Sequence, residues 1–221
     1  MDSRPSAVRR AAVPSLAGLG VLVAFALVVS TPSGAPSAVT IGGPFTLSTA
    51  DGLVVTDQTY RGKWLLVYFG YTFCPNSCPT TLFEVATALQ ELGVAAAQVQ
   101  PLFVTVDPQR DTPKLLQQFT QSFDPRIVGL TGTAQQIAAA AHEYGAYYAR
   151  HATGPGDNDY VLDHSTYLYV MDPRGKFVRA FESDISADRI ADVLRGLLIQ
   201  ESHEGMKRDS GARSSGQAAQ N

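Results

Sequence analysis

Apolar and polar residues alternate through PFTLSTADGLVVT, residues 44–56, on either side of the pair Asp51-Gly52. Period-two alternation about an Asp-Gly turn predicts a β-hairpin with one buried face. The pattern then changes: KWLLVYFG, residues 63–70, is a continuous apolar run stopped by glycine, which suits a strand covered on both faces. Leu82, Val85, Ala86, Leu89 and Leu92 follow at helical spacing and end at Gly93, predicting a helix closed by a glycine. PLFVTVD, residues 101–107, predicts a second buried strand. Strand, helix and strand in this order form a right-handed crossover between parallel strands.

Leu115, Leu116 and Phe119 mark a short helix, with Asp111 expected as its N-cap and Pro113 in its first turn. TAQQIAAAAHEYG, residues 133–145, places Thr133 and Gln136 at capping-box spacing, carries Ile137, Ala140, Ala141 and Tyr144 on one face, and stops at Gly145. STYLYVMDPRGKFVRAF, residues 165–181, predicts two strands about the turn from Asp172 to Gly175, and a last helix buries Ile190, Val193, Leu194, Leu197 and Leu198. The longest break is YARHATGPGDNDYVLDHS, residues 148–165, whose Gly154, Pro155 and Gly156 predict an irregular loop and a candidate lid. Hairpin, βαβ, two helices, ββ and helix fit an α/β thioredoxin-like fold: a mixed sheet with helices on both faces and an N-terminal β-hairpin.

The two ends stand apart from this domain, expected over 36–201. Arg4, Arg9 and Arg10 precede an uncharged run from Ala11 to Ser30, long enough for a single membrane-anchor helix with its basic side cytoplasmic. Pro36 follows Ala35 and would stand three positions before a cut after Ala38, which favours an uncleaved anchor over residues 1–35 rather than a cleaved signal peptide. Residues 202–221 are rich in Ser, Gly, Ala and Gln and lack apolar periodicity, so they are expected to form a disordered tail. His203 and Met206 lie in that tail and read as tail residues. The 221 residues, 45% hydrophobic and 17% charged, supply one domain plus such extensions. A formal net charge of -3 gives no basic surface for a nucleic-acid partner.

The chemistry concentrates in YFGYTFCPNSCPTTL, residues 68–82, which holds both cysteines of the chain, Cys74 and Cys78. They follow the first buried strand and enter the first crossover helix, where open α/β sheets collect ligands and a helix N-terminus stabilises thiolate. A disulfide across so short a loop removes little chain entropy and would be a poor staple. Thioredoxin-type redox pairs have two intervening residues, whereas Pro75, Asn76 and Ser77 stand here. They also carry a proline before the strand facing the cysteines, and Asp163-His164 occupies that place. Two thiolates and the His164 imidazole suit copper, trigonal as Cu(I) or tetragonal as Cu(II) with a further ligand; zinc accepts the same atoms but generally wants four. Asp163 is a candidate for supporting the site from the second shell or orienting the loop. His142 reads as a helix-surface residue, His151 as part of the loop, and Met171 as core packing.

IGGPF, WLLVYFGYTFCPNSCP, LFVTVDPQRDTP, IVGLTGT and DYVLDHSTYLYVMDPRGKF together resemble the Sco/SenC family of membrane-anchored copper chaperones for cytochrome c oxidase assembly. The resemblance spans about Ile41 to Leu198. It implies a thioredoxin-like domain whose Cys74, Cys78 and His164 bind Cu(I) and Cu(II), with Asp163 matching the aspartate before the family histidine. It also implies a bacterial inner-membrane protein facing the periplasm, another copper chaperone as possible donor, and the CuA domain of cytochrome c oxidase subunit II as partner. Copper delivery and reduction of that subunit's cysteines by a Cys74 and Cys78 redox pair are both compatible with it. Asn76 departs from an aspartate common in the family, which implies altered local charge and affinity with the ligands intact. DPQRDTP has a structural explanation, with Arg110 pairing either acid, and a possible place along the approach to Cys74. A peroxidase on the same fold would need cations beside its thiolate, and no Arg or Lys adjoins Cys74 in sequence.

Overall fold

The computed structural model describes residues 40–182 and 184–218, with side chains to 205. The expected anchor over 1–35 lies outside the described residues; among those described, no helix is long and apolar enough to cross a membrane. Strands β1 (Thr46–Thr49) and β2 (Val54–Thr56) form the expected hairpin, with Gly52 at φ 84° in its turn, a conformation glycine adopts without penalty. Strand β3 (Trp64–Gly70) is buried at every position. Helix α1 (Ser77–Leu92) turns its Leu82, Val85 and Leu89 inward, and β4 (Val99–Thr105) returns parallel to β3.

Helix α2 (Pro113–Gln121) is capped by Thr112, whose side chain accepts from the Leu115 amide, and Pro113 opens its first turn. Asp111, expected in that cap, is instead drawn toward Thr72 and Thr105. Helix α3 (Ala134–Glu143) opens on the Thr133 and Gln136 capping box. Strands β8 (Leu168–Met171) and β9 (Phe177–Phe181) flank the turn at Gly175. Helix α4 (Ala187–Ala218) packs beside α1.

Three stretches differ from expectation. IVGLTGT contains a strand, β5 (Val128–Thr131), parallel to β4 and antiparallel to β1. Its Gly129 lies where a Cβ would meet the Leu116 side chain at 2.7 Å, so close packing of α2 on β5 selects a residue that reads as a breaker. The expected loop over 148–165 is mostly a second hairpin, β6 (Tyr148–Ala152) with β7 (Tyr160–His164); only the turn between them fits the irregular reading. The segment from Ser202, expected without structure, continues α4. A helix already nucleated needs only local bonds to extend, so missing apolar periodicity does not end it.

The sheet order is β2-β1-β5-β4-β3-β8-β9, and β6 with β7 forms a separate two-stranded sheet. Strands β4, β3, β8 and β9 with α1, α3 and α4 make the thioredoxin-like kernel, and β5, β1 and β2 extend it. Strand β3 ends at Gly70, and antiparallel β8 begins at Leu168 opposite Tyr68. The residues after β3 and those before β8 therefore emerge at the same edge. That register brings Cys74 and His164 together.

Candidate metal centre

At this edge Gly70 closes β3 and a short loop leads into α1. A Cβ on Gly70 would stand 2.6 Å from Cys78 Sγ and 2.9 Å from the Phe103 ring, so the missing side chain makes the space that the sulfur fills. Cys78 lies in the first turn of α1 and is fully buried, while Cys74 in the loop keeps 9% exposure. Both are free thiols. The Cys78 amide donates to Cys74 Sγ at 3.4 Å, and Ser77 Oγ lies 3.3 Å from the same sulfur. The i to i+4 spacing thus places the helix N-terminus on Cys74, as expected of a thiolate site.

His164 ends β7 and points the other way from Asp163, as strand alternation requires. Its Nε2 is 3.5 Å from Cys78 Sγ and 3.8 Å from Cys74 Sγ, while Nδ1 meets the Ser165 carbonyl at 2.9 Å. In the neutral ring Nδ1–H donates to that carbonyl and the Nε2 lone pair faces the sulfurs, the orientation a metal ligand needs. The edges of Tyr68 and Tyr71 fix the ring in T-shaped contacts, with centroids 6.1 and 5.7 Å away. The ligand atoms of Cys74, Cys78 and His164 all lie within 4.8 Å of one another. They border a shallow depression of about 400 Å³.

The two thiols are electrostatically unequal. The hydrogen bond from Cys78, helped by His164, Ser77 and the Cys78 amide, holds the Cys74 thiol down at about 3 against the cost of its own burial. Burial first, and then the neighbouring Cys74, push the Cys78 thiol up. Burial pulls His164 down, but the bonds to Cys74 and Ser165 and the charge on Cys74 outweigh it and raise it above its ordinary value. One thiolate, one thiol donating to it and an imidazole make up the resting site. No cation is needed to ionise Cys74.

The structure thus brings together the three residues singled out as ligands. Asp163 also lines the depression, but its carboxylate turns from the three donors and pairs with His151 Nε2 at 2.8 Å on the exposed face of the hairpin. Its alternation away from His164 along β7 is the reason. His142 is 88% exposed and Met171 is core. The depression does not include the 107–111 segment, in keeping with the structural explanation given for DPQRDTP rather than a place along the approach to Cys74. Ser77 and Gly70 are contributors that sequence reasoning passed over; the glycine closing an otherwise apolar strand just before the cysteines was the available signal.

Comparison with known proteins agrees with this geometry. The sequence model of the SCO1/SenC family matches residues 33–199. Protein SenC of Rhodobacter capsulatus is 43% identical over 152 residues, 69% of this chain and 68% of the relative. The mitochondrial SCO1 homolog 1 of Arabidopsis thaliana is 38% identical over 153 residues, 69% of this chain but 45% of that longer protein. Among solved structures, Bradyrhizobium japonicum ScoI with copper bound is 40% identical with a TM-score of 0.65, covering 70% of this chain and 98% of that one. Yeast Sco1 with copper bound is 35% identical with a TM-score of 0.66, covering 71% and 87%. A family match over most of the described domain, with thiol and imidazole donors converging at one sheet edge, establishes that this chain belongs to the SCO1/SenC family.

Proposed function

We propose that this protein is a copper chaperone that holds the metal between Cys74, Cys78 and His164 and delivers it to the CuA centre of cytochrome c oxidase subunit II. The observation that carries this reading is the convergence of the three donor atoms within 4.8 Å. Soft thiolates with an imidazole suit Cu(I) and, with a further ligand, Cu(II). The copper-bound structures of the Bradyrhizobium japonicum and yeast relatives support that choice. A three-donor site at a shallow surface can exchange its cargo, whereas a closed four-ligand cage releases metal slowly. The anchor over residues 1–35 would hold the domain on the periplasmic face of a bacterial inner membrane, where another copper chaperone would load it.

Loading follows from the resting protonation. Cys74 is already a thiolate, and His164, which holds a proton more tightly than an ordinary imidazole, presents its Nε2 lone pair to the sulfurs in the neutral form. Cys78 must release its proton, so copper affinity rises with pH in the range where that thiol would otherwise keep it. Titration of the reduced domain with copper tests the reading: one ion per chain is expected, with His164→Ala weakening binding and Cys74→Ser abolishing tight binding. Absence of stoichiometric binding, or binding indifferent to His164→Ala, overturns it.

A second reading has its own support in the Cys74 thiolate beside a free Cys78. Cys74 would attack a disulfide of the oxidase subunit, forming a mixed disulfide and releasing one target thiolate. Cys78, deprotonated, would then displace the second, leaving the target dithiol reduced and the Cys74–Cys78 disulfide to be reduced by an external dithiol. A strain carrying His164→Ala separates the two. Active oxidase with His164→Ala but not with Cys74→Ser favours thiol chemistry, whereas loss in both, with added copper restoring oxidase in a deletion strain, favours delivery.

A further inference from the structure

We propose that Arg110 is the positioning residue that sets where His164 stands relative to the two cysteines, an inference that rests on the metal-binding reading of the site. His164 ends the β6–β7 hairpin, which among the described residues pairs only with itself and not with the seven-stranded sheet. The β3–β8 ladder brings His164 to the cysteine edge, but among the described residues no ladder ties the hairpin itself to that sheet, so side chains set its final distance from the cysteine loop.

The Arg110 side chain is 10% exposed. Its Nε donates to Asp107 Oδ2 at 2.6 Å, and its Nη1 donates to the Tyr160 carbonyl at 2.8 Å and more weakly to that of Asn158 at 3.3 Å. Its Cζ lies 3.6 Å over the Tyr160 ring, and Arg150 lies 3.8 Å over the same ring. Two cations cannot share one face at those distances, so the ring is held between them. The Tyr160 hydroxyl completes the clamp by donating to Asp107 Oδ1 at 2.6 Å. The same turn grips the cysteine side: Asp111 accepts from the Thr72 hydroxyl at 2.6 Å and the Thr72 amide at 3.0 Å, two residues before Cys74. Residues 107–111 are thus one rigid piece holding both halves of the metal site.

A buried ion pair adds little net stability over apolar side chains of the same volume; its best-attested contribution is registry. The planar guanidinium fork bridges a carboxylate and two carbonyls at once, which an ammonium cannot. Tyr160 and His164 are the two ends of β7, so a tilt at the clamp is carried along the strand to the imidazole. Metal–ligand distances in a well-formed site lie within about 0.2 Å of their standard values. Loosening the clamp should withdraw the imidazole while leaving the cysteine pair intact.

The test compares wild type, Arg110→Met and Arg110→Lys in the reduced protein. In metal-free Arg110→Met, amides of residues 148–164 should exchange about tenfold faster, the scale expected for loss of charge-assisted hydrogen bonds. Affinity for Cu(II) should fall about tenfold with a changed thiolate-to-copper absorption band, and affinity for Cu(I), whose trigonal set shares the imidazole, should fall with it, while exchange of the β3 amides stays within about twofold of wild type. Arg110→Lys should remain defective. Hairpin exchange and Cu(II) affinity within about twofold of wild type would overturn the proposal. So would equally accelerated exchange throughout β3, which would mean general damage, or full rescue by lysine, which would reduce the role to a point charge. If Arg110→Met does not fold, Tyr160→Phe decides by the same measurements, with a smaller effect in the same direction expected. Should wild type bind no copper, the metal reading fails by itself, and hydrogen exchange still decides whether Arg110 holds the hairpin.

Discussion

Cys74 and Cys78 share a helix N-terminus yet differ in chemistry because one sulfur reaches the surface and accepts hydrogen bonds while the other is sealed beneath it. Brief alkylation with iodoacetamide near pH 5 should label Cys74 and spare Cys78, since the Cys74 thiol is held at about 3; tryptic mass spectrometry reads the outcome. Equal labelling would contradict the assigned asymmetry. Gly70 is the second residue on which the site depends. Gly70→Ala drives a methyl into Cys78 Sγ and Phe103, and overpacking of this kind costs about 1–3 kcal/mol. Urea denaturation should show that loss, and copper affinity should fall with it because the displaced atom is a proposed ligand. Cys74, Cys78 and His164 were legible from residue type and fold position. Ser77 and the role of Gly70 were not, because each acts through a distance across the loop.

Strand β5 and the β6–β7 hairpin escaped the hydrophobic pattern for different reasons. Strand β5 is four residues long with glycine in the middle, too short for periodicity to stand out. The hairpin exposes most of one face, and its inner face depends on Tyr160 and Leu162 packing against the core. The turn leading into β5 carries its own electrostatic test. Arg126 donates from Nε and Nη2 to the two oxygens of Asp124 at 2.8 and 2.7 Å, and these bonds, opposed by burial, hold the Asp124 carboxyl below its ordinary value. A carboxylate depressed in the folded state stabilises fully above its unfolded pKa, and that stabilisation is lost as pH falls through the folded value. Asp124→Asn should therefore be less stable than wild type at pH 7. The gap in urea midpoint should close progressively below about pH 4, near the unfolded aspartate pKa; a gap independent of pH would point to packing instead.

Across the whole domain, the single tryptophan reports how the C-terminal helix is fastened. Trp64 begins β3, is 6% exposed, and donates from Nε1 to Glu201 at 2.7 Å. Truncation after Gly205 keeps this bond and should leave the urea midpoint unchanged. Truncation after Gln200 leaves a buried indole donor unpaired, which costs about 1–3 kcal/mol, and should shift both the midpoint and the native tryptophan emission. Equal behaviour of the two truncations would show that α4 is held by its apolar face alone.

By itself the sequence determined the kernel elements, the position of the cysteines at a strand end entering a helix, and the donor types available for a soft metal. Those properties are local: periodicity, caps and side-chain chemistry act within a few residues. Only the tertiary structure decided that β8 starts opposite the end of β3, so that a histidine 86 positions beyond Cys78 turns its Nε2 toward both sulfurs. It also decided that Asp163 alternates away to His151, and that residues 107–111 grip both halves of the site. Each of these depends on strand register or on side chains meeting across the fold, contacts that leave no periodic mark along the chain.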